Sequence, residues 1–110
     1  MAHVPVLLDE VIIFLAPKPN QNFIDATVGD GGHAKAILEK ISPNGKLIAI
    51  DRDIDSIIRA KSNLKEFGDR VLFINDSFDN LSKIAEESKI GFIHGIIFDF
   101  GMSTNQLENS

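Results

Sequence analysis

Four apolar runs in the chain each end on an aspartate, and these acids are the residues whose spacing first suggests chemistry. The runs cover residues 23–25, 47–51, 71–76 and 96–99, and they end on Asp25, Asp51, Asp76 and Asp99. Short apolar runs of this kind are typical of buried strands. In a parallel α/β sheet, ligands bind outside the carboxyl ends of the strands. The pattern therefore predicts an acidic binding site, which suits a cationic ligand.

A glycine-rich turn follows the first of these acids, with the sequence Thr-Val-Gly-Asp-Gly-Gly-His over residues 27–33. A turn that follows a strand and opens a helix is a common binding element for nucleotide-like ligands. Gly29, Gly31 and Ala34 also satisfy the dinucleotide fingerprint, and Asp51 lies 20 residues after Gly31, where a ribose-binding acid is expected.

Two cofactors fit this turn, NAD and S-adenosylmethionine, and they differ in the charge that they would place against it. NAD would place a pyrophosphate dianion against the turn, where Asp25, Asp30 and Asp99 would repel it. S-adenosylmethionine has no phosphate and carries a sulfonium and an ammonium group, which the same acids would attract. The residues favour S-adenosylmethionine, and an NAD-dependent oxidoreductase is kept as the alternative.

Composition limits the chain to one modest domain of 110 residues with 44% hydrophobic content. The net charge of −5 provides no broad basic face for a nucleic-acid backbone. Cysteine is absent, which excludes disulfides and thiolate nucleophiles. His3, His33 and His94 form no ligand motif, so no metal site is expected. Without a membrane-length apolar stretch or a signal-like N-terminus, a cytoplasmic protein is expected.

The rest of the sequence alternates strand-like and helical periods, which predicts a single α/β unit around a parallel sheet. Strands are predicted over residues 22–25, 46–50, 71–74 and 95–98. A leading helix is predicted over residues 6–15, since Pro5 suits its first turn and Pro17 ends it. Right-handed crossovers would bring all the strands' carboxyl ends to one edge.

Three crossover helices are predicted from apolar residues spaced along one helical face. These stripes are Ala34, Ile37, Leu38 and Ile41; then Ile54, Ile57, Ile58 and Leu64; then Leu81, Ile84 and Ala85. In the second helix, Asp53 is placed to cap the start and Gly68 to mark the end.

Four segments resemble, in order, the bacterial ribosomal RNA small-subunit methyltransferase H family, also called MraW. They are His-Val-Pro-Val-Leu-Leu-Asp-Glu-Val at 3–11, Asp-Ala-Thr-Val-Gly-Asp-Gly-Gly-His at 25–33, Ala-Ile-Asp-Arg-Asp at 49–53 and Asp-Phe-Gly-Met-Ser-Thr-Asn-Gln-Leu at 99–107. The resemblance implies a Rossmann-like class I S-adenosylmethionine-dependent methyltransferase fold. It also implies methyl transfer to the N4 amine of a cytidine in the decoding region of 16S ribosomal RNA.

The resemblance assigns roles to individual residues. Those it implies for cofactor binding are Gly31, Gly32 and His33 at the methionine end, Asp51 at the ribose, Phe78 near the adenine, and Asp99 and Gln106 in the loop after the fourth strand. Asp99 is also the candidate for the group that takes the proton of the attacking amine.

Members of that family continue well beyond the length of this chain. We therefore expect residues 1–110 to be the N-terminal cofactor-binding part of a methyltransferase domain, truncated after about the fourth strand, which would lie at an open edge. The target-base pocket and much of the RNA surface would lie elsewhere. Besides the oxidoreductase, a non-catalytic remnant that only binds adenosyl ligands is an alternative, and the oligomeric state is left open.

Overall fold

A parallel four-stranded sheet forms the centre of the computed structural model, which describes residues 16–98. Its strands are β1 (Phe23–Asp25), β2 (Leu47–Asp51), β3 (Val71–Asn75) and β4 (Gly95–Ile97), in the order β3-β2-β1-β4. All four predicted strands are confirmed, with ends that differ by one residue. Within the described part of the chain β4 occupies one edge, as expected. The helix predicted over residues 6–15 lies outside this part.

The first crossover helix, α1 (Gly32–Lys40), begins directly after the glycine turn. Its predicted stripe is confirmed, because Ala34, Ile37, Leu38 and Ile41 are all fully buried. They pack with Phe23 and Leu47 in one core cluster on one face of the sheet. The end of α1 is held by Arg70, whose guanidinium donates to the carbonyl oxygen of Leu38 at 2.7 Å.

The second helix, α2 (Ile54–Asn63), begins as predicted, because the carboxylate of Asp53 accepts a hydrogen bond from the Asp55 N–H at 2.9 Å. Its predicted stripe is partly wrong. Ile57 is buried, but Ile54 and Ile58 are 51% and 58% exposed. At 100° per residue, Ile54 and Ile58 lie some 60–100° around the helix from Ile57. Leu64 is buried as predicted, and the small side chain of Ala60, which the stripe did not include, is fully buried as well.

The end predicted for α2 at Gly68 is also wrong, because the α-helix stops at Asn63. Leu64 is its C-cap, and a 3-10 helix (Lys65–Arg70) follows. The Phe67 N–H donates to the carbonyl oxygen of Leu64 at 3.0 Å, the shorter i→i+3 pattern of a tightened turn. Gly68, with φ +56°, instead interrupts that 3-10 segment.

The third helix, α3 (Leu81–Ser88), follows a 3-10 turn (Phe78–Asn80). Ile84 of this helix packs with Ile24, Ile48 and Ile50, which point to the sheet face opposite α1. Leu81 and Ala85 are partly buried against the same cluster, so the third predicted stripe is confirmed. The sheet is therefore covered on both faces, as parallel sheets usually are. Among residues 16–98, no helix has the length and apolar character to cross a membrane.

Candidate functional site

The carboxyl edge of the sheet brings the predicted acids together around a topological switch point. From β1 the chain moves outward through β2 to β3 and then returns to the other side of β1 as β4. In open α/β sheets, ligands bind at the crevice where the strand order reverses. Asp25 and Asp51 end the two central strands, and Asp76 directly follows β3. Asp99, the fourth acid, lies outside the described residues.

Asp25 occupies a different position from the one expected, because its side chain is fully buried. Its Oδ1 accepts a hydrogen bond from the Thr27 N–H at 3.2 Å, at the start of the glycine turn. The carboxylate therefore lies beneath the turn and does not line an open mouth. It supports the turn through the Thr27 N–H.

The glycine turn bends sharply between β1 and α1. Gly29 and Gly31 have φ of +57° and +96°, values that suit residues without a side chain. The turn is anchored to the sheet by Val28, whose N–H donates to the carbonyl oxygen of Ile50 at 2.7 Å. It closes on itself where the Gly31 N–H donates to the Val28 carbonyl oxygen at 2.9 Å. The sequence motif thus corresponds to a turn held by two main-chain hydrogen bonds.

The turn leaves the N-terminus of α1 accessible. Gly31 is the N-cap and offers no side chain to bond the first helical amides. Gly32 is exposed, and its N–H donates to Asp30 Oδ1 at 3.1 Å. His33 is buried in the first turn of the helix. This helix end can meet a carboxylate, whereas the exposed charge of Asp30 beside it disfavours a dianionic pyrophosphate.

Asp51 is the last residue of β2, and both oxygens of its carboxylate accept hydrogen bonds from main-chain amides. Oδ2 accepts from the Gly29 N–H at 3.0 Å, and Oδ1 accepts from the Asp53 N–H at 2.9 Å. These charge-assisted bonds fix the orientation of the half-buried carboxylate. An ionised carboxylate has about four acceptor positions, so both oxygens can accept further donors such as ribose hydroxyls.

Phe78 lies just beyond β3, in the 3-10 turn before α3, and its side chain is half-buried. Its ring meets that of Phe98 edge-to-face, with centroids 5.5 Å apart. Both rings belong to segments that follow carboxyl ends of strands, β3 for Phe78 and β4 for Phe98. Phe78 is therefore at the correct edge of the sheet to cover a purine ring.

Asp76 is held by the same 3-10 turn. Its Oδ1 accepts from the Asn80 side-chain amide at 2.9 Å and from the Ser77 N–H at 2.6 Å. These bonds, with the Asn80 amide contributing most, lower the pKa of Asp76 below its usual 3.8. The carboxylate is therefore ionised at neutral pH.

Two asparagines that the sequence did not single out also support this edge. The Asn63 side-chain amide donates to the carbonyl oxygen of Asp30 at 2.8 Å and so fastens the turn to the end of α2. The Asn75 amide donates to the carbonyl oxygens of Asp51 and Arg52, both at 3.0 Å. The only sequence signal for Asn75 is its place before Asp76 at a strand end.

Of the predicted site residues, the structure gathers Gly31, Gly32, His33, Asp51 and Phe78 at the carboxyl edge. Asp99 and Gln106 lie outside residues 16–98. Within that range, no group of three or more acidic, histidine or cysteine residues is arranged to hold a metal ion. The chemistry available among the described residues is that of carboxylate acceptors, main-chain donors and an aromatic face.

Comparison with known sequences agrees with this arrangement. The model of the MraW methylase family matches residues 1–110. A protein named ribosomal RNA small subunit methyltransferase H from Dehalococcoides mccartyi is 44% identical over 106 residues, which are 96% of this chain and 30% of that protein. The protein of the same name from Caldicellulosiruptor bescii is 46% identical over 106 residues, 96% of this chain and 34% of its own length. The chain thus spans 30% to 34% of these curated relatives.

Solved structures show the same fold. A SAM-dependent O-methyltransferase from Thermotoga maritima superposes with a TM-score of 0.63 at 23% identity, over 69% of this chain and 29% of its own. TrmN from Thermus thermophilus gives a TM-score of 0.63 at 20% identity, over 72% of this chain and 24% of its own. The predicted Rossmann-like class I methyltransferase fold is confirmed by these likenesses and by the parallel sheet.

Proposed function

The chain belongs to the MraW methylase family, and on this premise we propose that it binds S-adenosylmethionine at the carboxyl edge of its sheet. We further propose that residues 1–110 form the cofactor-binding part of an enzyme that methylates the N4 amine of a cytidine in the decoding region of 16S ribosomal RNA. A cytoplasmic location is part of this proposal, because the ribosomal substrate is there.

The observation that carries the proposal is the fixed carboxylate of Asp51. Its two oxygens are bonded by amides of two different segments, the Gly29 N–H of the turn and the Asp53 N–H before α2. A carboxylate held in this way needs no reorganisation before it accepts the two vicinal hydroxyls of a ribose. This preorganisation supports the assignment of Asp51 as the ribose acceptor.

The methionine end of the cofactor suits the glycine turn. Its carboxylate would meet the N-terminus of α1 near Gly32 and His33, where the helix dipole favours an anion. Its ammonium and sulfonium groups would be attracted by Asp30, which is exposed beside the same turn. Phe78 would cover one face of the adenine. Gln106 and Asp99 would complete the cofactor site from the segment after β4.

Bound S-adenosylmethionine would supply an electrophilic methyl group, which the cytidine amine takes with loss of one proton while S-adenosylhomocysteine leaves. The residues of this chain contribute mainly by positioning. Holding the amine and the methyl group in line can supply up to roughly 7–11 kcal/mol of the barrier reduction. Asp99 is proposed to orient the amine and accept its proton. The target base must leave its stack to reach the site.

Calorimetric titration of the 110-residue chain with S-adenosylmethionine, S-adenosylhomocysteine and NAD tests cofactor binding. We expect both adenosyl ligands to bind and NAD not to bind. Asp51→Ala should weaken adenosyl binding at least tenfold, the equivalent of about 1.4 kcal/mol. Asp69→Ala is the matched control, because Asp69 is an exposed acid just before β3, at the amino ends of the strands and away from the carboxyl ends where Asp51 lies. Binding of NAD alone would favour the oxidoreductase alternative.

Transfer to RNA needs a separate test. Small ribosomal subunits lacking the modification would be incubated with the chain and methyl-labelled cofactor, and the digested 16S ribosomal RNA analysed for N4-methylcytidine. Labelled N4-methylcytidine would support the full proposal. Binding of adenosyl ligands without transfer would limit the role of residues 1–110 to holding the methyl donor, and binding of neither adenosyl ligand nor RNA would contradict the proposal.

A further inference from the structure

Asn75 connects the ends of two neighbouring strands at the candidate site. It is the last residue of β3 and lies opposite Asp51 in the parallel register. Its side-chain amide donates to the carbonyl oxygens of Asp51 and Arg52, both at 3.0 Å. A primary amide has two hydrogens, so each can serve one carbonyl. The Asn75 side chain therefore holds two consecutive peptide groups of the segment that leaves β2.

This bond pair adds to the other hydrogen bonds that hold Asp51. The Asp51 carbonyl oxygen accepts a second hydrogen bond, from the Asp76 N–H at 3.1 Å. Its carboxylate is held by the Gly29 N–H, from the turn that follows β1, and β1 lies on the other side of β2 from β3. Arg52 is otherwise an exposed residue between the strand and Asp53. Loss of the Asn75 amide would remove a donor from each of the Asp51 and Arg52 carbonyl oxygens, and we expect the Asp53 N–H to be held less firmly against Asp51 Oδ1.

From this geometry we infer that Asn75 is a positioning residue for ribose recognition, acting on the cofactor through Asp51. The inference rests on the proposed function, because it requires Asp51 to accept the ribose hydroxyls. Asn75 does not need to touch the cofactor. It keeps the Asp51 carboxylate in the orientation in which Oδ2 meets the Gly29 N–H and Oδ1 meets the Asp53 N–H.

The inference is tested with Asn75→Ala, which removes the amide at an exposed position and leaves the core unchanged. We expect S-adenosylhomocysteine to bind about three- to tenfold more weakly, the effect of losing one or two net hydrogen bonds. An analogue with a 2′,3′-dideoxyribose should bind both proteins equally, because it has no hydroxyls for Asp51. Asn75→Asp, which places a carboxylate against the two carbonyl oxygens, should act in the same direction.

Asn22 provides a matched control at the amino ends of the strands, directly before β1. Its amide also bridges two carbonyl oxygens, those of Ile90 at 3.1 Å and Phe92 at 3.2 Å, just before β1 begins. Asn22→Ala should lower stability without changing the ratio of the two ligand affinities.

Hydrogen exchange offers a readout without ligand. In Asn75→Ala the amides of Gly29 and Asp53 should exchange faster, whereas the amide of Thr27, which is bonded to Asp25, should not.

The outcomes separate this inference from the proposed function. If the wild-type chain prefers the hydroxylated ligand and Asn75→Ala changes both affinities equally, or neither, the inference is overturned and the proposed function stands. If the wild-type chain binds no adenosyl ligand, the proposed function fails and the role in ribose recognition fails with it. Unchanged exchange of the Gly29 and Asp53 amides would overturn the positioning role in either case.

Discussion

The acids at the carboxyl edge have similar sequence contexts but different physical states. Asp25 is buried under the glycine turn, Asp51 is half-buried between two amides, and Asp76 bonds within its own turn. Asp51 and Asp76 are both half-buried and held by hydrogen bonds, but only the Asp51 carboxylate of these three is bonded to the glycine turn at Gly29. The position at a strand end is therefore shared by all three, and the neighbouring amides decide which of them can bind a ligand.

The pKa of Asp76 leads to a prediction about acid stability. Because the Asn80 amide and the Ser77 N–H lower this pKa in the folded chain, the ionised carboxylate stabilises the fold above its usual pKa of 3.8. That contribution is lost as the pH falls through the lowered folded value. Asn80→Ala should raise the pKa of Asp76 toward 3.8, which a carboxyl-carbon NMR titration would measure. An unchanged pKa would show that the Asn80 bond does not stabilise the charge.

Sequence reasoning identified Asp51 and the glycines because their residue types and spacing carry the signal. It did not identify Asn75, whose role depends on the register that places it opposite Asp51. Register is a property of two paired strands and has no local pattern along either one. The supporting amides of a site are for this reason harder to predict than the charged groups they support.

At the level of elements, the glycine turn is constrained both by its backbone and by α2. Gly31 has φ +96°, and a Cβ added there would lie 3.2 Å from Leu64 Cγ. We expect Gly31→Ala to lower the free energy of unfolding by about 1–3 kcal/mol and to weaken adenosyl binding. Urea denaturation and calorimetry would measure the two effects.

Gly91 provides the matched control for that prediction. It has nearly the same φ, +93°, but a Cβ there would meet nothing within 4 Å. Gly91→Ala should therefore show the backbone cost alone and leave ligand affinity unchanged. Equal losses of stability in the two variants would mean that the contact with Leu64 contributes nothing, and equal losses of affinity would contradict the role of the turn in binding.

The C-terminal end of α1 depends on an arginine from a distant part of the chain. The Arg70 guanidinium donates to the Leu38 and Gly45 carbonyl oxygens at 2.7 and 2.8 Å and to Ser42 Oγ at 3.2 Å. Arg70→Ala should destabilise the chain by about 1.5–3 kcal/mol, as expected for charged hydrogen bonds. Arg70→Lys should recover only part of this, because lysine lacks the planar fork. Thermal or urea unfolding would measure both variants.

Arg59 is the control for this helix-end contact. It is exposed on α2 and donates to Ser56 Oγ at 3.2 Å. Arg59→Ala should change stability by less than about 0.5 kcal/mol, the usual range for surface substitutions. A comparable loss in Arg59→Ala and Arg70→Ala would show that general charge effects, and not the contacts at the end of α1, determine the change.

The differences in α2 show where helix prediction from periodicity reaches its limit. The pattern of large apolar residues correctly predicts burial of Ile57 and Leu64. It wrongly includes Ile54 and Ile58, which are exposed, and omits the buried Ala60. A close-packed interface can select a small residue over a large one when space is limited. Gly68 has the residue type of a helix stop signal, but the α-helix ends at Asn63 and the chain continues as a 3-10 segment past Gly68 to Arg70.

For the whole molecule, alternation of strands and helices was sufficient to predict a parallel α/β sheet, since crossover rules leave few arrangements. The order β3-β2-β1-β4, which creates the switch point between β1 and β4, was not predicted. That order follows from how the helices share the two faces, and each helix stripe is compatible with either face. The location of the site could be inferred at the carboxyl edge, but its centre required the fold.

The charge of the whole chain predicts weak binding to RNA. With 16 acidic and 11 basic residues, the chain cannot neutralise many phosphates at once, and counterion release is the main source of nonspecific affinity. We expect the 110-residue chain to bind 16S ribosomal RNA at 150 mM salt with a dissociation constant weaker than about 10 μM, in the weaker half of the usual nonspecific range of about 1–100 μM or beyond it. Filter binding over a series of salt concentrations would measure both the affinity and its salt slope.

Binding of S-adenosylhomocysteine is the internal control, because contacts within a fixed crevice should change little over the same salt series. Tight RNA binding with a steep salt slope would contradict the prediction and would reveal a basic surface within these 110 residues. Tight binding with a shallow slope would instead indicate recognition by base contacts, for which Phe78 and Phe98 are the ring pair at the carboxyl edge. Weak RNA binding together with intact cofactor binding is the result expected if these residues hold the methyl donor while the RNA is held by other parts of an enzyme.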